Sequence, residues 1–328
     1  MIEGISITCF AASYAVTLAL EFSRIFLRSG LRGAFMIGFA TAGLLAHTLF
    51  LVYRASAVQG PLSSAFDWYM VAAWVLAATY LYLTLYHPGN AIGIFVLPLV
   101  LGLVAAGALV ADREPFAVSR AAQLWGTVHG ALLLLGAVAV MVGFAAGMMY
   151  LVQAYRLKHK LPARQGFQLP SLEWLERVNG RAIVASAMLL GGGIIAGAVL
   201  NLVNHGESVD HVPWTDPIIW SSVLAVVWLI AAAVFNSAYR PARQGRKVAY
   251  LTVASFVFLA LALAVSLFVD TQHSGTPPEA RAVEVSQQTQ SGETPFRGGK
   301  SCDAKVLLGD APPRQSSTLA NRAAGGRE

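Results

Sequence analysis

The sequence predicts an all-α integral membrane protein: a bundle of about eight transmembrane helices, both termini outside, with a disordered polar C-terminal tail. Three observations carry this expectation. Hydrophobic residues make up 56% of the 328 residues and charged residues only 12%, about half the charged share usual in a soluble protein, and mean hydropathy is +0.60. The apolar residues fall into blocks of about 20, the length a helix needs to cross a bilayer. Lys and Arg collect in alternate connections between the blocks. The spans are helices because backbone groups in lipid must bond within their own segment.

The blocks run 3–23, 33–53, 67–86, 91–111, 127–153, 180–203, 217–237 and 249–269. The first is too long for a cleavable signal peptide, and its basic residues follow rather than precede it. The second holds a histidine, His47, in A-H-T-L-F-L-V-Y-R. The third and fourth are separated by a short connection around His87 and Pro88. The fifth carries Gly143 and Gly147, and the sixth Gly193 and Gly197, each a G-x-x-x-G that reads as generic close helix packing. The seventh opens on Asp216 and Pro217, a helix N-cap followed by proline at the first helical position. The eighth leads into the tail.

Orientation follows from the basic residues. Arg24, Arg28 and Arg32 follow span one. Arg156, Lys158, Lys160, Arg164 and Arg177 follow span five, and Arg240, Arg243, Arg246 and Lys247 follow span seven. The segment 204–216 has no Lys or Arg and carries Glu207, Asp210 and Asp216. Positive residues stay inside, so both termini are expected outside, and the His87–Pro88 connection falls inside by parity. Residues 274–328 are rich in Gln, Ser, Thr, Gly and Pro, a composition that cannot offset the entropy of ordering. The expected organisation is 1–111, an N-terminal four-helix membrane half; 112–273, a second four-helix half; and 274–328, a disordered tail.

Other classes are excluded on the same grounds. The net charge of +6 reads as basic inner loops rather than as a nucleic-acid surface. The two cysteines, Cys9 and Cys302, form neither a disulfide framework nor a C-x-x-C, so thiol exchange and covalent haem attachment to this chain are not expected. No internal repeat or pair of broken helices points to a transporter, although His47 in a solute pathway remains a third alternative.

Four places carry polar or aromatic groups that an anchor would not need. His47 lies roughly 9 Å below the outer end of its span, counting from Tyr53 at about 1.5 Å per residue. An ionisable group at that depth faces a bundle interior; a hydrogen-bonded core histidine and a metal or haem ligand fit equally. His129, in L-W-G-T-V-H-G, starts span five beside Trp125, an interfacial anchor. His273, in Q-H-S-G, follows span eight on the same expected side, and two neutral imidazoles facing each other across a gap are what a six-coordinate haem iron needs. The segment N-H-G-E-S-V-D-H-V-P-W-T-D-P-I-I-W holds Trp214 and Trp220, whose faces suit a flat macrocycle at the membrane interface. Asp216 reads first as the cap of span seven. A metal site from His205, Glu207, Asp210 and His211 has no rigid ligand spacing behind it.

In this order the features resemble the cytochrome c assembly family of haem-handling membrane proteins, with its CcsA/ResC, CcmC and HemX-like branches. L-W-G-T-V-H-G-A-L-L-L-L-G is similar to the family's helix start with an external histidine. G-M-M-Y-L-V-Q-A-Y-R-L-K-H-K, followed by L-P-S-L-E-W-L-E-R-V-N, resembles its cytoplasmic connection. W-T-D-P-I-I-W falls where the family has a Trp-rich motif, Q-H-S-G resembles the second external histidine, and H-T-L-F-L-V-Y-R with G-P-L-S-S resembles a segment with an intramembrane histidine. The similarity covers about 40–275.

The resemblance implies a haem b cargo held at the outer face by axial ligands His129 and His273. Trp214, Trp220 and Trp125 would flank the porphyrin beside Asp216, with His47 as an inner or transit ligand. It implies presentation of haem to apocytochrome c, as part of a cytochrome c haem lyase complex with a ResB/Ccs1-like membrane subunit, in a bacterial-type inner membrane. The sequence departs from the family pattern W-D-P-K-E-x-W: Thr215 separates Trp214 from Asp216, and Ile218 and Ile219 replace Lys and Glu. Asn236 or a neighbour stands where a second intramembrane histidine belongs. These departures keep open a HemX-like accessory or regulatory role without haem transfer.

Overall fold

A computed structural model describes residues 6–26, 30–57, 62, 64–111, 113, 120–161, 167–206, 214–238 and 246–268. Eight helices account for almost all of them: α1 (Ile7–Ser23), α2 (Gly30–Ala57), α3 (Ala65–Tyr86), α4 (Gly93–Leu109), α5 (Arg120–Lys158), α6 (Leu172–Gly206), α7 (Pro217–Ala238) and α8 (Arg246–Phe268). Each coincides with one expected span. Six are long and apolar enough to cross a membrane, and α1 and α4 are shorter apolar helices of 17 residues. The protein is a multi-pass helical membrane bundle. The tail 274–328 lies outside the described residues.

α5 and α6 run to 39 and 35 residues, well beyond the spans read from apolarity. Their extensions are polar at the shared end: Arg156 and Lys158 close α5, and Glu173 opens α6. Cations at a helix C-terminus and an acid at an N-terminus both complement the helix dipole, so the helices outlast the apolar run. At α3 the start is set by a capping box. The Ser64 hydroxyl accepts from the Asp67 amide at 3.4 Å, and the Asp67 carboxylate accepts from the Ser64 amide at 3.1 Å.

Helices α1 to α4 form one closed ring of contacts, α1–α2, α2–α3, α3–α4 and α4–α1; α5 to α8 form another, with a further α6–α8 contact. The two rings meet where α5 packs against α3 and α4. Small residues set the approach in the second ring. A Cβ on Gly136 would stand 2.6 Å from Leu190, and one on Gly143 3.0 Å from Ala182, so only glycine lets α5 and α6 lie this close.

One end of the bundle gathers connections that the basic-residue pattern assigns to a single side. Arg24, just past α1, donates to the carbonyls of Asn90 at 2.8 Å and Pro88 at 2.6 Å. The Ala91 amide donates to the Gln168 carbonyl at 2.8 Å. Thus the α1 terminus, the α3–α4 turn and the α5–α6 connection share one end. Glu21 is fully buried beneath them, paired with Arg24 at 3.2 Å and accepting from the Tyr80 hydroxyl at 3.1 Å. A charge inside a span has to be paired in this way.

Candidate functional site

His129 sits in the second turn of the apolar part of α5 and turns toward α6. Its Nδ1 lies 2.7 Å from the Gly193 carbonyl oxygen, and the ring is partly buried. A carbonyl can only accept, so Nδ1 carries the proton and the imidazole lone pair falls on Nε2. This is the tautomer of a histidine that ligates a metal through Nε2, with the other ring nitrogen tied to a backbone carbonyl.

The seat of that ring is the G-x-x-x-G of α6. A Cβ on Gly197 would stand 2.7 Å from His129 Cε1 and 2.8 Å from Nδ1, and a Cβ on Gly193 would stand 2.6 Å from Leu133, one turn further along α5. What reads in sequence as generic packing is the groove that fixes the orientation of His129. On the neighbouring face of α5, Gly130 receives Trp68 of α3: a Cβ there would lie 2.5 to 2.9 Å from three indole carbons.

The other expected site residues fall in different surroundings. His273 lies outside the described residues, as do Glu207, Asp210 and His211, and nothing is described of the His205 side chain. Trp125, Trp214 and Trp220 are exposed, at 39%, 57% and 66%, and among the described residues none of them makes a ring contact or a side-chain hydrogen bond. Asp216 is buried at the start of α7, where its carboxylate accepts from the Ile218 amide at 2.9 Å. It is the helix cap that the sequence suggests. Among the described residues no group of three His, Cys, Asp or Glu side chains could hold a metal ion.

His47 lies in the first ring, fully buried. Its imidazole stacks on Phe10 of α1, with centroids 4.1 Å apart and planes within 2°. Nδ1 shares a 3.3 Å hydrogen bond with the Tyr14 hydroxyl, and among the described residues Nε2 has no partner. Iron at Nε2 would need space that packed side chains now fill. Asn236, where the family pattern has a second intramembrane histidine, is partly buried near Gly180 of α6: a Cβ on Gly180 would lie 3.4 Å from its amide nitrogen.

Two residues that sequence reasoning passed over belong in this picture. Trp68 reads as one more aromatic in an apolar run, and only the α3–α5 contact brings it against Gly130, the residue after His129. Glu21 was legible as an acid inside span one, the feature that singles out His47 in span two.

No curated protein and no solved structure shows significant similarity to this chain. The family model for the cytochrome c assembly protein matches residues 10–273, which takes in α1 from its fourth residue and the other seven helices whole, and reaches His273. With most of its length covered by that match, the chain belongs to the cytochrome c assembly protein family.

Proposed function

We propose that this protein handles haem for cytochrome c biogenesis, binding it as cargo at the outer face through His129 and His273 and presenting it to apocytochrome c. The observation that carries the reading is the 2.7 Å contact from His129 Nδ1 to the Gly193 carbonyl. It fixes the tautomer, aims Nε2 as the ligating nitrogen and raises its basicity. The residues at hand fit a haem iron better than a bare metal ion, because the described part of the site offers one neutral imidazole among aromatic and small apolar groups. Haem supplies the iron and the vinyl groups; the protein holds, orients and shields it. His273 would be the second axial ligand, Trp125, Trp214 and Trp220 would flank the ring, and His47, whose Nε2 has no partner among the described residues, would serve as an inner or transit ligand once the side chains packed on it moved aside. The work would be done in a bacterial-type inner membrane with a ResB/Ccs1-like subunit as partner, both termini outside.

The test is an absorption spectrum of the purified full chain after haem is supplied. A bis-histidine spectrum that is lost in both His129→Ala and His273→Ala is expected. Wild-type protein that shows no such spectrum would remove this reading.

A second reading, a HemX-like accessory or regulator of haem metabolism, is favoured by two findings. Asp216 caps α7, and among the described residues Trp214 and Trp220 have no ring partner. Staining covalent haem in c-type cytochromes of a deletion strain separates the two: cytochromes unchanged in amount would favour the accessory role.

A further inference from the structure

The first helical ring has no assigned part in the outer haem site, yet one of its side chains reaches it. Trp68, in the first turn of α3, lays the edge of its indole on Gly130 of α5, the residue after His129. Cζ2, Cη2 and Cε2 would lie 2.5, 2.7 and 2.9 Å from a Cβ at that position. Cε2 is bonded to Nε1, so the indole N–H sits at the α5 surface near Gly130, the residue after His129.

Two of the other tryptophans pair this N–H within the bundle. Trp74 Nε1 donates to the Thr48 hydroxyl at 2.8 Å, and Trp228 Nε1 donates to the Ser255 hydroxyl at 3.1 Å. Trp68 Nε1 has no acceptor among the described residues, although its ring is partly buried in the same bundle. Tryptophan in an apolar setting ordinarily finds an acceptor for this proton. The ring is also packed closely against a glycine of α5. A porphyrin ligated at His129 is wide enough to bridge helices packed about 8–10 Å apart, which brings its rim within reach of α3.

We propose that Trp68 is a haem-contacting residue of the outer site: its indole walls the porphyrin beside His129, and its Nε1–H donates to a carboxylate on the porphyrin rim. The proposal rests on the haem reading above and deepens it. It makes the first four helices part of the binding site rather than a separate anchor, and it gives the site a preference for tetrapyrroles with free carboxylates over those without.

The experiment uses the full chain in maltoside micelles, which present no anionic headgroup to the indole. Haem and its dimethyl ester, in which both carboxylates are blocked, are titrated separately into wild type, Trp68→Phe, Gly130→Ala and His129→Ala. Wild type should bind haem about 2- to 10-fold more tightly than the ester, the range of a single favourable contact. Trp68→Phe keeps the ring and loses the N–H, so it should bind both ligands alike while its Tm stays at the wild-type value. Gly130→Ala pushes the indole off α5 and should also erase the preference. A packing role for Trp68 could change affinity or Tm, but it would not change the ratio of the two ligands. If Trp68→Phe and Gly130→Ala keep the wild-type ratio while His129→Ala abolishes binding, Trp68 is an interfacial anchor and the proposal is overturned with the haem reading intact. If wild type binds neither ligand, both fall.

Discussion

The Nδ1 of His129 and the carbonyl oxygen of Gly193 lie 2.7 Å apart, joining α5 to α6 through a backbone acceptor that is itself part of a helix. A helical carbonyl already serves the i+4 amide, and its second lone pair takes the imidazole proton. The ring reaches this carbonyl only because position 197, one turn away, has no side chain. Gly197→Ala would put a methyl 2.7 Å from Cε1, and the ring would have to turn out of its hydrogen bond. We expect haem affinity to fall about 10- to 100-fold, the usual cost of disturbing the group that orients a ligating histidine. Haem titration checks this, with circular dichroism to confirm unchanged helix content. Gly193→Ala is the matched control: its methyl meets the flexible end of Leu133 instead and should cost less.

Asp216 gives a prediction of the opposite kind. Its carboxylate accepts from the Ile218 amide at 2.9 Å ahead of Pro217. Asp216→Ala should therefore destabilise the start of α7 by about 0.5–2 kcal/mol. Asp216→Asn or Asp216→Ser, which also cap, should restore most of it. Haem affinity that follows stability across this series would mark Asp216 as a cap only. A selective loss of haem binding in Asp216→Asn would show that the carboxylate has a second task.

The helices were legible in the sequence because hydropathy and caps both act locally. Asp216–Pro217 marks the start of α7 through a contact two residues apart; the Ser64–Asp67 box at α3 is just as local, but it came to light in the structure. The site was legible only in part. His129 stands out because polar groups are scarce in these spans, but its partner is a backbone carbonyl, which no sequence pattern advertises. The same holds for Gly193 and Gly197, whose spacing is common and whose role depends on which helix faces them. Trp68 became visible only once α3 was seen to pack on α5 at Gly130.

Glu21 and Arg24 close the opposite end. Glu21 is fully buried and Arg24, 3.2 Å away, partly so, and Arg24 also holds the carbonyls of Pro88 and Asn90. Glu21→Ala would leave a guanidinium without its counter-charge and should cost about 3–5 kcal/mol. Replacing both residues, Glu21→Leu with Arg24→Met, should recover much of that, because the desolvation of both charges disappears as well. Thermal unfolding in micelles measures the series. A double variant as unstable as Glu21→Ala would show that the carbonyl contacts of Arg24, rather than the ion pair, hold this end together.

His47 can be tested for whether the protein keeps it for packing or for chemistry. Its Nε2 is buried with no partner among the described residues, and its hydrogen-bonded neighbour is Tyr14 at 3.3 Å. A buried polar group left unsatisfied costs about 1–3 kcal/mol, whereas replacing both members of a buried pair with apolar groups of similar shape is close to neutral or stabilising. The double variant Tyr14→Phe with His47→Leu removes the orphaned nitrogen and the hydroxyl together, and the stack on Phe10 gives way to aliphatic contact. Its stability should equal or exceed that of wild type. If His47 is the inner or transit ligand proposed above, the same variant should lose cytochrome c maturation in a complementation assay. Full maturation by this variant would show that His47 takes no part in haem transit and would leave the outer site to act alone.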